Sequence, residues 1–193
     1  MRARLALVAS GTATELREIV LRDKAPAFLA ASPSGTVPCL VMEQTVIDES
    51  LDIMIWALTC SDPEGLLDMP EGGHTWIARA DGPFKHALDR TKYATRYPDE
   101  DPNIHRNQAA AFLTELDAAV DLWIYDRPTL ADIAILPFVR QFAFIDKAWF
   151  DAQPWPNLRA WLHRFLTSDR FAAIMGKYPK WADGDTPIIF PQS

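Results

Sequence analysis

Residues 61–73 divide the chain into two parts with different hydrophobic periods. This segment holds Pro63, Pro70 and three glycines, and no apolar period runs through it, which is typical of a linker. Before it, short apolar runs alternate with turns, whereas after it apolar residues recur at helical spacing. The pattern predicts a small α/β domain over residues 1–60 and an all-helical domain over residues 71–193.

The first part shows helices and short strands in alternation. Leu5, Val8 and Ala9 indicate a helix that ends at Gly11, and branched residues favour a strand over 15–21. A short helix is expected over 27–31. Two strands over 37–42 and 45–47 are expected to form a hairpin, and the helical period resumes at Ser50.

The second part is expected to consist of helices. The helical segments predicted from apolar spacing are 77–93, 107–125, 130–144 and 158–165. One face of the second of them is apolar and is expected in the core, at Ala109, Phe112, Leu113, Leu116 and Val120. The proline-containing tail over 178–193 is expected to wrap the surface.

Composition excludes several classes of function. A net charge of −7 disfavours nucleic acid and anionic lipid as partners. No apolar run reaches the roughly 18 residues of a membrane span. The two cysteines, Cys39 and Cys60, form no disulfide framework and are expected to be small buried hydrophobic residues. The four histidines lack metal-ligand spacing. A cytoplasmic protein without a metal is expected.

Three motifs follow one another along the chain: residues 35–38 (Gly-Thr-Val-Pro), 48–53 (Asp-Glu-Ser-Leu-Asp-Ile) and 128–134 (Pro-Thr-Leu-Ala-Asp-Ile-Ala). In order and separation they resemble the bacterial cytosolic glutathione S-transferases. The resemblance implies an N-terminal thioredoxin-like domain followed by an all-helical C-terminal domain. It covers nearly the whole chain but lacks the family's first strand and catalytic turn, which makes the thioredoxin-like domain incomplete at its start.

The start of the chain resembles the interior of the family's first helix. The resemblance implies that a sulfur-activating cysteine or serine lies about four positions before Met1, so that no catalytic residue is assigned in this chain. The family's first strand lies in the interior of the sheet, and without it the backbone groups of its two neighbouring strands would lack hydrogen-bond partners. We therefore hypothesise that Met1 is an internal methionine of a longer product.

Val37 and Pro38 are the first candidate site residues. A proline that begins a strand after a glycine turn is a candidate cis peptide. The resemblance implies that this bond is cis and that the backbone of Val37 pairs with the cysteinyl part of glutathione. A trans proline at a strand edge is the alternative.

Glu49 and Ser50 form the second candidate pair, at the start of a helix whose first amides favour an anion. The resemblance implies that Ser50 binds the γ-glutamyl carboxylate of glutathione. It also implies that the Glu49 carboxylate accepts a hydrogen bond from the α-ammonium group of glutathione. Alone, the pair indicates an ordinary helix N-cap, and it is the Val37-Pro38 motif upstream that favours the binding role.

Lys24 is assigned by the resemblance to the glycine carboxylate of glutathione, with a solvated lysine beside Asp23 as the alternative. Thr129 and Asp132 form a capping box, which is a folding signal and not a catalytic one.

The function implied by the resemblance is that of a glutathione S-transferase-like enzyme. It would bind glutathione as co-substrate and transfer it to an electrophile, or exchange it with a mixed disulfide. The family also implies a homodimer. The alternative is a non-catalytic binding or scaffold protein that keeps the fold.

Overall fold

The computed structural model describes residues 1–32 and 34–192, which form two compact units. The first unit combines Met1–Glu64 with the C-terminal segment from Asp169 onward, and the second unit is Gly65–Ser168. The sequence predicted a helical domain that runs to residue 193. In the structure the residues from Asp169 onward belong with the first unit instead, for the reasons given below.

The helices of the first unit are α1 (Arg2–Ser10), α2 (Pro26–Ala31), α3 (Ser50–Cys60) and α10 (Asp169–Ile174). All except α2 contribute buried residues to the core. Leu5 and Ala6 of α1 are fully buried, as are Met54 and Ala57 of α3, because these two helices pack against each other. Gly11 has a φ of 67° and closes α1, which confirms the predicted helix end.

Two short antiparallel sheets lie in the same unit. Strand β1 (Thr14–Glu15) pairs with β4 (Ile189–Phe190), and β2 (Leu40–Val41) pairs with β3 (Val46–Ile47). The hairpin is therefore confirmed, although its strands are shorter than predicted. Pro38 lacks an amide hydrogen, so the ladder begins only after it.

The strand predicted over residues 15–21 is wrong beyond its first residue. The charged side chains of this segment form ion pairs, and beyond Glu15 its backbone does not continue the strand. Arg17 contacts Glu15 at 2.8 Å, and the Arg4 guanidinium contacts Glu18 at 2.6 Å. The carbonyl of Glu18 accepts from the amide of Trp181 at 2.8 Å.

The C-terminal segment is held to the first unit by these contacts and by Phe190. The Phe190 side chain is 2% exposed, and the Arg4 guanidinium lies 5.8 Å from its ring centroid. Lys180 forms an ion pair with Asp23. A strand pairing and an apolar anchor thus join residues far apart in sequence, which explains why local patterns assigned the tail to the other domain.

The second unit contains only helices among its regular elements in the described part of the chain. They are α4 (Glu71–Arg79), a π-helical turn (Ala80–Phe84), α5 (Lys85–Lys92), a 3-10 turn (Ala94–Arg96), α6 (Pro102–Ala119), α7 (Leu130–Ala143), α8 (Lys147–Asp151) and α9 (Pro156–Leu166). The predicted core face of the long helix is confirmed: Ala109, Phe112, Leu113, Leu116 and Val120 are all buried. Pro83 lacks the amide that a regular helix needs, and it lies in the π-helical turn.

The linker prediction is confirmed in part. Residues 61–70 lie outside helices, but α4 begins at Glu71, so Gly72 and Gly73 are helical. A Cβ atom at Gly73 would lie 2.6 Å from the sulfur of Met69. A larger residue there would have to displace the Met69 side chain, and Gly73 lies within α4 and not in a turn.

The capping box at the start of α7 is confirmed. Asp132 accepts from the amide of Thr129 at 2.9 Å and from its hydroxyl at 3.0 Å. Its other oxygen accepts from the amide of Ile124 at 3.0 Å and the indole of Trp161 at 3.1 Å. Burial raises the pKa of this carboxyl, and the hydrogen bonds oppose that change in part.

No helix in the described residues is long and apolar enough to cross a membrane.

Candidate functional site

The β2–β3 hairpin brings the two candidate pairs to one end. Leu40 pairs with Ile47, and the amide of Met42 donates to the carbonyl of Thr45 at 2.8 Å across the turn. Val37 and Pro38 precede β2, while Glu49 and Ser50 follow β3. In an antiparallel hairpin, residues before the first strand and after the second lie at the same open end. We call these four residues the hairpin end.

The Val37–Pro38 peptide bond is cis, as predicted. Val37 is exposed, at 46%, and Pro38 is half-buried. Val37 therefore lies at the surface of the first unit, shortly before the first strand of the hairpin.

Glu49 and Ser50 occupy the first positions of α3. Glu49 is the N-cap in extended conformation, and its carbonyl accepts the first helical hydrogen bond, from Ile53, at 3.0 Å. Its side chain makes no capping hydrogen bond. Ser50 is already helical, so the alternative of an ordinary serine N-cap does not describe this helix. The amides of the first turn are available to an anion.

Arg2 contacts the hairpin end from α1. Its Nη1 donates to the Ser50 hydroxyl oxygen at 3.2 Å, and the residue is only 6% exposed. The sequence analysis missed this residue. A signal was present, because Arg2 lies at helical spacing from Leu5, Ala6 and Ala9, which are all buried. An arginine on the apolar face of a helix needs a polar partner.

Lys24 lies between β1 and α2 and is half-buried. Its neighbour Asp23 forms an ion pair with Lys180. Within residues 1–32 and 34–192, no hydrogen bond or ion pair joins Lys24 to the hairpin end. Four of the five predicted binding residues thus flank the open end of the hairpin, and Lys24 lies on another segment.

The cysteines differ from expectation. Cys39 is half-buried next to Pro38, and Cys60 is exposed at the last position of α3. The prediction that both are buried is wrong. Cys60 is seven residues from Ile53 and so lies at the edge of the buried face of α3, and it is exposed because the helix ends there. Among residues 1–32 and 34–192 there is no cluster of three or more metal-ligating side chains.

A separate cavity of about 390 Å³ lies within the second unit. Its lining includes Asp68, Tyr125 and Arg127. The Arg127 guanidinium donates to the Gly65 carbonyl at 2.7 Å and to the Asp68 carboxylate at 2.6 Å. The Arg127 guanidinium therefore joins its own loop to the loop that holds Gly65 and Asp68. We assign the cavity no ligand.

Both halves of the chain match family models. Residues 1–63 match the glutathione S-transferase N-terminal domain, and residues 75–164 match the glutathione S-transferase C-terminal domain. The chain belongs to the glutathione S-transferase family. The fold is thus the thioredoxin-like domain plus helical domain of glutathione S-transferases, as the motifs predicted.

Solved glutathione S-transferases share this fold. BphK, a bacterial GST in a ternary complex, has a TM-score of 0.76 at 20% identity, with 89% of this chain and 90% of that chain covered. A glutathione transferase family member from Pseudomonas fluorescens, with two glutathione bound, has a TM-score of 0.73 at 20% identity, covering 89% and 85%. Glutathione transferase F7 from Populus trichocarpa has a TM-score of 0.72 at 18% identity, covering 89% and 90%. No curated protein matches the chain by sequence.

Proposed function

We propose that this protein binds glutathione at the hairpin end and acts as a glutathione-dependent transferase. The observation that supports the proposal is the hairpin register, which leaves Val37 before β2 and Glu49 and Ser50 after β3, on the side away from the turn. The bound glutathione of the Pseudomonas fluorescens family member supports the choice of ligand.

The γ-glutamyl end of glutathione carries one carboxylate and one ammonium group. In the proposal, the Ser50 hydroxyl and the first amides of α3 bind the carboxylate, since unpaired amides and the helix dipole favour an anion. Glu49 is exposed and accepts from the ammonium group. The two residues thus recognise both charges of one zwitterion.

The middle of glutathione is a peptide, and it pairs with the exposed backbone of Val37 as an added strand would. Lys24 binds the glycine carboxylate at the other end. This last assignment comes from family resemblance and from the half-buried position of an ammonium group near the same unit's surface.

The proposed reaction follows from the ligand. A glutathione thiolate attacks an electrophilic carbon, a thioether bond forms, the leaving group departs with its electron pair, and the thiol proton passes to solvent. With a glutathione mixed disulfide as second substrate, the thiolate attacks sulfur instead and releases the other thiol. The proposal assigns recognition to the residues named here and sulfur activation to none of them.

The second candidate function is a glutathione-binding protein without turnover. It is favoured by the nature of the groups at the hairpin end, since Val37, Glu49, Ser50 and Arg2 bind charges and backbone but offer no thiol. It shares the binding part of the proposal and lacks the chemical step.

Calorimetric titration tests the binding step. S-methylglutathione is expected to bind, while its α-linked isomer, in which the free carboxylate and ammonium are moved, is expected to bind at least about tenfold more weakly. Equal affinity for the two isomers, or none for either, would overturn the proposal. Conjugation of glutathione with 1-chloro-2,4-dinitrobenzene, and reduction of a glutathionyl mixed disulfide, then test turnover. Binding with neither reaction would favour the second candidate.

A further inference from the structure

The Arg2–Ser50 hydrogen bond has a consequence for how a ligand is recognised, and this inference rests on the proposed function. We propose that Arg2 is a positioning residue, which turns the Ser50 hydroxyl proton toward the carboxylate of the ligand. The observation is the 3.2 Å contact from Arg2 Nη1 to Ser50 Oγ, between the first turns of two packed helices.

The direction of this hydrogen bond is fixed by chemistry. A guanidinium has donors and no acceptor, so Ser50 Oγ must accept from Arg2. A hydroxyl that accepts one hydrogen bond keeps its own proton to donate. A carboxylate accepts only, so it is the ligand group that fits this proton. Arg2, Ser50 and the carboxylate then form a relay in which each donor points the same way.

Arg2 and Ser50 differ in burial, and this difference shows which of them can touch a ligand. Arg2 is 6% exposed, while Ser50 is half-buried. The hydroxyl is therefore the outer member, which can touch a ligand, and the guanidinium is the inner member behind it. Arg2 acts through Ser50 and needs no contact with the ligand itself.

Charge gives the guanidinium a second effect. Asp48 and Glu49 precede α3, and Asp52 lies in its first turn. An incoming carboxylate would be repelled by these acids. A buried cation within hydrogen-bond distance of Ser50 offsets that repulsion, and it is screened by salt less than a surface charge would be. The relay thus selects a ligand with a carboxylate over the same ligand without it.

Two S-methylated ligands isolate this effect. S-methylglutathione carries the γ-glutamyl carboxylate, and S-methylated 4-aminobutanoyl-cysteinyl-glycine lacks only that group. In the variant Arg2→Gln, affinity for S-methylglutathione is expected to fall about 10-fold to 100-fold, the range of a hydrogen bond to a charged group, while affinity for the second ligand is unchanged. Arg22→Gln, at an exposed arginine of the same charge, is the matched control and is expected to change neither affinity.

The double variant Arg2→Gln/Ser50→Ala separates positioning from packing. Because Arg2 acts through the Ser50 hydroxyl and its charge also acts directly on the carboxylate, the double variant is expected to lose less affinity for S-methylglutathione than the sum of the two single losses. Equal weakening of both ligands in Arg2→Gln, or additive losses in the double variant, would overturn the inference. If Arg2→Gln does not fold, Arg2→Met supplies the neutral variant, because it keeps an apolar stem in the buried position.

The outcomes also separate this inference from the function on which it rests. If the wild-type protein binds neither ligand, the proposed function fails, and the inference fails with it. If the wild-type protein prefers S-methylglutathione and Arg2→Gln keeps the same preference, the proposed function stands and only the role of Arg2 is overturned.

Discussion

Leu40 lies opposite Ile47 in the β2–β3 hairpin, and this register determines where the candidate site is. Val37 and Pro38 precede β2, and Glu49 and Ser50 follow β3, so both candidate pairs lie on the side of the Leu40–Ile47 pair that faces away from the turn. A shift by one residue would send the side chains of one strand to the opposite face.

Glu49 is expected to recognise an ammonium group. Glu49→Gln keeps the shape of the side chain and removes its charge, so affinity for S-methylglutathione should fall by about threefold to tenfold, a modest effect because the side chain is exposed. Affinity for S-methylated glutaryl-cysteinyl-glycine, which lacks the ammonium group, should stay the same. Glu43→Gln, at an exposed glutamate in the hairpin turn, is the matched control. A loss of equal size for both ligands would contradict the assignment.

Lys24 is expected to recognise the other end of glutathione. In Lys24→Ala, affinity for glutathione should fall by about threefold to tenfold, because one charge-assisted contact is lost. Affinity for γ-glutamylcysteine, which lacks the glycine, should not change. Lys177→Ala removes an exposed lysine of the same unit and serves as control. Unchanged glutathione affinity in Lys24→Ala would leave Lys24 as a solvated surface residue.

Phe190 is expected to anchor the C-terminal segment. Phe190 is 2% exposed and its neighbour in β4, Ile189, is 50% exposed. Phe190→Ala should lower the free energy of unfolding by about 3–5 kcal/mol, whereas Ile189→Ala should change it by much less. Urea unfolding measures both. Hydrogen exchange at the amide of Leu16, which donates to the carbonyl of Ile188 at 2.7 Å, should become faster in Phe190→Ala only. Equal effects of the two substitutions would show that the tail is not held by its buried ring.

Asp132 is expected to make stability depend on pH. Burial raises the pKa of its carboxyl in the folded state. Its stabilising contribution is therefore complete below the unfolded-state pKa of about 3.9 and is lost as the pH rises through the folded-state pKa. Asp132→Asn removes this titration. The difference in free energy of unfolding between wild type and Asp132→Asn, measured in urea, should shrink as the pH rises. A difference that grows with pH would mean that the hydrogen bonds outweigh burial and that the pKa is lowered.

Local patterns predicted the elements whose cause is local. The capping box of Thr129 and Asp132, the end of α1 at Gly11 and the apolar face of α6 each depend on residues within a few positions of one another. The cis bond at Val37–Pro38 was predicted from a glycine turn, a proline and family resemblance together.

The features that the sequence did not predict depend on distant partners. The pairing of β1 with β4 joins residues more than 170 positions apart in the register Thr14–Phe190, and no local pattern encodes it. The contact of Arg2 with Ser50 spans 48 positions. A polar contact of Arg2 could have been expected from a charged residue on an apolar helix face, but the sequence does not identify Ser50 as the partner. The motifs therefore predicted the candidate site residues but not the Arg2 contact behind Ser50.

The most direct test of the account is a map of amide chemical shifts on isotope-labelled protein during titration with S-methylglutathione. The account predicts that the largest shifts occur at Val37, Ser50 and Leu51, since these amides lie where the ligand's backbone and carboxylate bind. Shifts confined to other parts of the chain, or no shifts at ligand concentrations that saturate other glutathione-binding proteins, would contradict it.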